Sequence, residues 1–138
     1  MQRTALALFR VSPLLASLGT ALMSTAALGA ESLSAGQLAA AERVFVGTAS
    51  CDAQQQITLQ ALAGQPGHFK LSHKKASYTM VPQETSSGAV RLEDPKSGLV
   101  WIQIPAKSML MNTKLGQRVA DACVTPEQLK ASQTASAR

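Results

Sequence analysis

A chain of 138 residues is long enough for one domain and too short for two of ordinary size. The formal net charge is +5, but residues 31–138 carry 11 basic and 8 acidic side chains, which leaves +3. No basic run exceeds Lys74-Lys75 and aromatic residues make up 4%, so the composition argues against a nucleic-acid partner. Hydrophobic residues make up 46% and are spread along the chain, which argues against general disorder.

Residues 1–30 have the pattern of a secretory signal peptide. Arg3 and Arg10 precede an uncharged apolar stretch, and a small-x-small run follows it. We therefore expect cleavage near Gly29 or Ala30 and a periplasmic mature protein.

A transmembrane anchor is the alternative interpretation of this segment. The uncharged stretch is just long enough to span a bilayer, but Pro13 and Gly19 interrupt it. No cysteine follows the apolar stretch directly, since the first one is Cys51. We therefore expect no lipid anchor.

Export decides how the two cysteines are interpreted. In an oxidising compartment Cys51 and Cys123 are expected to pair. A reactive thiol or a metal ligand is the alternative, but each would need a nearby base or clustered ligands. His68 and His73 are an odd number of residues apart, so on one strand they would point in opposite directions. We expect no metal site and no cofactor.

Short runs with alternating or β-branched residues recur about every nine residues, separated by turn residues. They predict strands over 43–50, 55–62, 67–73, 76–81, 89–94, 98–104, 107–112 and 117–124. Residues 31–42 are interpreted as a linker or short helix, in which Ser34 and Gln37 have capping-box spacing. The tail 125–138 is predicted to form about one helical turn and to be disordered beyond it.

Eight short strands without helices between them predict antiparallel pairing. The fold class is therefore predicted to be all-β, a small eight-stranded antiparallel barrel over residues 43–124 with one disulfide. Such a barrel is filled by its own side chains. On 98–104, alternation predicts that Val100, Ile102 and Ile104 face the core and that Leu99, Trp101 and Gln103 face the other way. Trp101 is then either a contact residue or a cover for the barrel wall.

Patterns typical of enzymes are missing from the sequence. Glu93 and Asp94 are adjacent and diverge on a strand, so they do not predict a shared acid–base site. No nucleophile elbow, glycine-rich phosphate loop or H-E-x-x-H run occurs. We expect a binding protein and not an enzyme.

The second half of the chain carries a more specific pattern. The run 86–93 (SSGAVRLE), then Val100-Trp101, then the run 106–110 (AKSML), and a closing Cys123 resemble the MliC/PliC family of bacterial C-type lysozyme inhibitors. Cys51 also fits, and the resemblance covers roughly residues 46–124. Membership would imply an eight-stranded antiparallel barrel and a C-type lysozyme as the protein partner.

The resemblance also implies a mechanism. Family members insert a loop into the lysozyme cleft, where a serine and a nearby lysine approach the two catalytic carboxylates. The family's lysine position is occupied here by Gln103, so Lys107 or Arg91 would have to supply the charge. The residues implied in partner binding are Ser86, Ser87, Gly88, Arg91, Trp101, Gln103 and Lys107.

Two other functions stay open. One is a lipocalin-like binder of small molecules, which would need a hollow barrel. The other is a structural periplasmic module that contacts an envelope component through Trp101 and the 82–88 loop. In each case we expect a monomer or a weak dimer.

Overall fold

The computed structural model describes residues 32–138, so the predicted export signal and cleavage site lie outside the described residues. Within this range eight strands are flanked by two helices, and a short 3₁₀ turn spans Asp52–Gln54. The helices are α1 (Ala35–Glu42) and α2 (Pro126–Ser136). The strands are β1 (Gly47–Ser50), β2 (Gln56–Ala61), β3 (Phe69–His73), β4 (Ala76–Gln83), β5 (Val90–Asp94), β6 (Leu99–Gln103), β7 (Ser108–Asn112) and β8 (Gln117–Cys123). Neither helix is long and apolar enough to cross a membrane.

Each strand pairs antiparallel with the next, in the order β1 to β8. The described parts of β1 and β8 meet in a single bridge, where Ser50 and Val124 exchange backbone hydrogen bonds of 3.1 and 3.0 Å. The Cys51–Cys123 disulfide lies directly beside this bridge. The sheet is therefore a nearly closed barrel, which confirms the predicted fold class and the predicted cysteine pairing.

Side chains complete the seam between β1 and β8. The backbone N–H of Asp121 donates to Asp52 Oδ1 at 3.1 Å, and Gln55 Nε2 donates to the carbonyl of Val119 at 3.3 Å. Unpaired strand edges leave backbone groups without partners and invite association. Asp52 in the 3₁₀ turn and Gln55 directly after it therefore supply hydrogen-bond partners to backbone groups of β8 that no described strand pairs with.

The barrel interior is filled by apolar side chains. Alternation along β2 and β3 places Ile57 and Leu59, and Phe69 and Leu71, inside. The largest side chain of the core belongs to Trp101, which is 0% exposed. Within residues 32–138, apolar side chains therefore occupy the interior that a lipocalin-like binder would need to leave hollow.

The predicted orientation of β6 is wrong. Leu99, Trp101 and Gln103 point into the barrel, whereas Ile102 is partly exposed and Ile104 lies beyond the strand with 41% exposure. Val100 is also buried, although it lies on the outer face. The indole fills the wide interior, and Gln103 can lie inside because its amide finds backbone partners there.

Helix α1 covers one end of the barrel. Its capping box at Ser34 and Gln37 forms as predicted. Ala40 is buried, and Ala41 and Val44 pack against the core. This end also carries the loops after β2, β4 and β6, because consecutive strands alternate in direction.

Helix α2 corrects the prediction of a mostly disordered tail. Thr125 and Gln128 form a second capping box, and Pro126 lies in the first turn. Gln128 is 0% exposed, and its Nε2 donates to the Ile104 carbonyl at 2.6 Å and to Ser108 Oγ at 3.1 Å. A polar residue anchors this helix to the barrel, so the scarcity of apolar residues in 125–138 did not indicate disorder.

Candidate functional site

Residues 84–89 connect β4 to β5 at the barrel end covered by α1, and we call them the Ser-Gly loop. Ser86, Ser87 and Gly88 are all exposed. Gly88 has a φ of +79°, and nothing lies within 4 Å of the position a Cβ would take. The tip of the loop therefore faces open space, and its backbone conformation favours glycine.

Two hydrogen bonds shape the loop from within. Thr85 Oγ1 donates to the carbonyl of Ala89 at 2.6 Å. Ser87 Oγ accepts from the backbone N–H of Ala89 at 3.4 Å. Since that oxygen acts as an acceptor here, the Ser87 hydroxyl hydrogen stays free to donate to a partner.

The two residues that cap helix α1, Ser34 at its N-terminus and Arg43 at its C-terminus, hold the loop at both ends. Ser34 Oγ donates to Glu84 Oε1 at 2.6 Å, where the loop leaves β4. Arg43 Nη1 donates to the carbonyl of Gly88 at 2.6 Å, next to Ser87. The loop is therefore exposed at its tip and fixed at its flanks.

The two cations proposed from the sequence are both engaged by carboxylates of the chain itself. Arg91 Nε lies 2.5 Å from Glu93 Oε1, and Lys107 Nζ lies 3.3 Å from Asp121 Oδ1. Their side chains are 39% and 42% exposed. Partly exposed pairs of this kind contribute about 0–1 kcal/mol, so a partner carboxylate could compete for either cation.

Asp121 is the centre of a small charged cluster. Its carboxylate also receives Arg118 Nη1 at 2.8 Å and the backbone N–H of Ala122 at 2.7 Å. The Ala122 hydrogen bond, followed by Lys107 and Arg118, holds the pKa of Asp121 below its usual value. Asp121 therefore stays ionised near neutral pH and keeps attracting Lys107.

Trp101 and Gln103 are the two predicted contact residues that the fold takes into the interior. Trp101 is fully buried, and Gln103 is 2% exposed. The Gln103 amide bonds to the backbone of Phe45 on both sides, with Nε2 donating at 2.8 Å and Oε1 accepting at 3.0 Å. Of the seven predicted residues, the loop thus groups Ser86, Ser87 and Gly88, while these two support the barrel behind it.

Arg43 is the residue at this site that sequence reasoning missed. Among the described residues its guanidinium pairs with no carboxylate, and its hydrogen-bond partner is the Gly88 carbonyl. The Arg43 side chain contacts a backbone carbonyl 45 residues away, and such a contact produces no periodicity or motif that a sequence would show. A shallow pocket of about 210 Å³ opens beside it, lined by Arg43, Phe45, Gly88, Val90, Gln103, Ile104 and Pro105.

A larger and more polar depression lies at the opposite barrel end. Its volume is about 450 Å³, and three consecutive glutamines, Gln54 to Gln56, contribute to its wall together with His73 and Lys74. His73 Nε2 lies 2.9 Å from Gln55 Oε1. Burial, followed by the nearby Lys74, lowers the pKa of His73. Residues 32–138 contain no group of three or more His, Cys, Asp or Glu side chains arranged to hold a metal ion.

Comparison with known proteins adds no assignment. No family model matches the chain, and no curated protein or solved structure matches it.

Proposed function

We propose that this chain is an exported inhibitor of C-type lysozyme, and that it acts by inserting the Ser-Gly loop into the active-site cleft of the enzyme. The observation that carries the proposal is that the loop has an exposed tip and fixed flanks. Ser86, Ser87 and Gly88 are exposed at the tip, while contacts from Ser34 and Arg43 fix its flanks. A preorganised loop loses little conformational freedom when it binds.

The chemistry of the target supports this choice. Lysozymes cleave glycosidic bonds with two carboxyl groups, of which one is kept protonated and the other ionised. The free hydroxyl hydrogen of Ser87 can donate to the ionised group, and such charge-assisted hydrogen bonds are stronger than neutral ones. A loop in the cleft also occupies the space that the sugar needs.

The architecture agrees with the family that the sequence resembles. The eight-stranded antiparallel barrel and the Cys51–Cys123 disulfide are what MliC/PliC membership would imply. A disulfide is typical of an oxidising compartment, which supports export to the periplasm. Membership and location are both part of the proposal.

A lysis assay tests the proposal. Purified protein corresponding to residues 31–138 is mixed with hen-type lysozyme and bacterial cell walls, and the fall in turbidity is followed. We expect slower lysis as the protein is added in excess. Undiminished lysis at micromolar excess would overturn the inhibitor function and would favour a structural envelope module.

A variant series locates the contact. Ser87→Ala should weaken inhibition without lowering the melting temperature, because the hydrogen bond that it removes, accepted from the Ala89 N–H at 3.4 Å, is long and exposed. Ser77→Ala is the matched control, since Ser77 is an exposed β4 serine whose side chain bonds to Ser72. Equal inhibition by the Ser87 and Ser77 variants would exclude Ser87 as the contact.

A further inference from the structure

We propose that the pocket beside Arg43 binds an acidic side chain of the partner protein, with the Arg43 guanidinium as its carboxylate-binding group. The inference rests on the proposed function and deepens it, because it names a specificity-determining residue of the same surface. Arg43 belongs to none of the motifs that suggested the function.

The charge pattern around the loop favours Arg43 over the other cations. Arg91 and Lys107 each face a carboxylate of their own chain, at 2.5 and 3.3 Å. In the described part of the chain Arg43 faces none. Among residues 32–138, a partner carboxylate therefore meets no competing carboxylate at Arg43.

The geometry of the guanidinium leaves it able to bind a carboxylate. Arginine carries five N–H donors, and Arg43 uses Nη1 for the Gly88 carbonyl. The remaining donors suffice for the paired hydrogen bonds that arginine makes with a carboxylate. The bond to Gly88 also holds the side chain in place, so little rotamer freedom is lost on binding.

The pocket wall indicates what carries the carboxylate. The pocket has a volume of about 210 Å³. Sites for drug-sized molecules usually measure about 300–1,000 Å³, so this pocket suits a single protein side chain. Apart from Arg43, Gly88 and Gln103, the lining is apolar and consists of Phe45, Val90, Ile104 and Pro105. An apolar wall with a cation at its edge matches the short hydrocarbon stem and charged end of glutamate or aspartate.

Direct binding is tested with two small probes on the whole mature protein. N-acetyl-glutamate and its uncharged counterpart N-acetyl-glutamine are titrated separately, and the NMR signals of the Arg43 side chain and the Gly88 amide are followed. We expect shifts with the glutamate probe that Arg43→Gln abolishes, and no shifts with the glutamine probe. Identical responses to both probes would overturn the carboxylate site.

Inhibition of lysozyme is measured on three variants. Arg43→Gln should weaken inhibition by about tenfold or more, since a partner carboxylate is left without its cation, and Arg43→Lys should recover part of that loss. Lys75→Gln is the control for net charge, because Lys75 is exposed in the turn between β3 and β4 at the opposite barrel end.

A fourth variant separates carboxylate binding from support of the loop. Ser34→Ala removes an anchor of the loop and keeps the charge of Arg43, so its loss of inhibition should be smaller than that of Arg43→Gln. Equal losses would assign Arg43 to loop support and overturn the inference.

The outcomes for this inference and for the proposed function are distinct. If the unaltered protein inhibits lysozyme and Arg43→Gln inhibits it equally well, the carboxylate site is overturned and the inhibitor function stands. If the unaltered protein does not inhibit lysozyme but shows the expected shifts with the glutamate probe, the inhibitor function is overturned and the carboxylate site stands.

Discussion

The side chain of Gln103 pairs with the backbone of Phe45 much as a neighbouring strand would, accepting from its N–H at 3.0 Å and donating to its carbonyl at 2.8 Å. The contact ties the segment before β1 to the end of β6. It places Arg43, two residues before Phe45, beside the Ser-Gly loop. A buried amide thus connects the core of the barrel to the proposed binding surface.

Replacing that amide should destabilise the protein. Gln103→Leu leaves the N–H and the carbonyl of Phe45 without partners, and we expect the free energy of unfolding to fall by about 2–4 kcal/mol. Urea unfolding followed by the fluorescence of Trp101, the single tryptophan, measures the change. Gln60→Leu is the control, because Gln60 is exposed on β2. Equal losses for the two variants would contradict a structural role for the Gln103 amide.

Gly88 should affect inhibition separately from stability. Gly88→Ala and Gly116→Ala both place a Cβ at positive φ, at +79° and +63°, with open space around each. Each should cost roughly 1–2 kcal/mol of stability through backbone strain alone. Only Gly88→Ala should weaken inhibition, since Gly116 lies at the opposite barrel end. The lysis assay checks this, and equal inhibition by both variants would remove Gly88 from the contact surface.

The disulfide should supply a large share of the stability. Cys51 and Cys123 are 72 residues apart, and cross-linking a loop of that length stabilises a fold by about 4 kcal/mol in the chain-entropy description. The double variant Cys51→Ser, Cys123→Ser should therefore unfold at markedly lower urea. Adding reductant to the unaltered protein should reproduce the shift, and an unchanged midpoint in both experiments would contradict it.

Stability should fall as the solution is acidified through the titration range of His73. The pKa of His73 is lowered in the folded protein, so the unfolded chain binds the proton more readily. The stability that comes from neutral His73 is fully present above the unfolded pKa of about 6.5. It is lost as the pH falls through that value toward the lower pKa of the folded protein. His73→Gln should show a flatter dependence of unfolding free energy between pH 7.5 and pH 5. If the unfolding free energy of both proteins changed equally with pH, His73 would not be the source of the pH dependence.

The strands were predictable from sequence because their signals are local. All eight predicted runs overlap observed strands, and the turn residues between them mark where each strand ends. The faces of β6 were not predictable in the same way. Val100, Ile102 and Ile104 have the side chains favoured in a core, but the barrel interior is wide enough for Trp101 and supplies backbone partners for Gln103.

Helix α2 was underestimated for a related reason. Its residues are mostly small or polar, and composition alone predicted disorder. The spacing of Thr125 and Gln128 did carry the capping-box signal, and that signal would have extended the helix. The contact of Arg43 with Gly88 had no such signal, because it depends on how α1 lies over the barrel end.

The single bridge between Ser50 and Val124 has a consequence for the order in which the fold is assembled. The other pairings of the described sheet join consecutive strands, so each hairpin can form from neighbouring chain at a small entropic cost. The pairing of β1 with β8 instead joins the two ends of the sheet, so one edge of β1 stays unpaired until β8 has folded. Because β1 has only four residues, from Gly47 to Ser50, its unpaired edge offers a short template to other chains that are still folding.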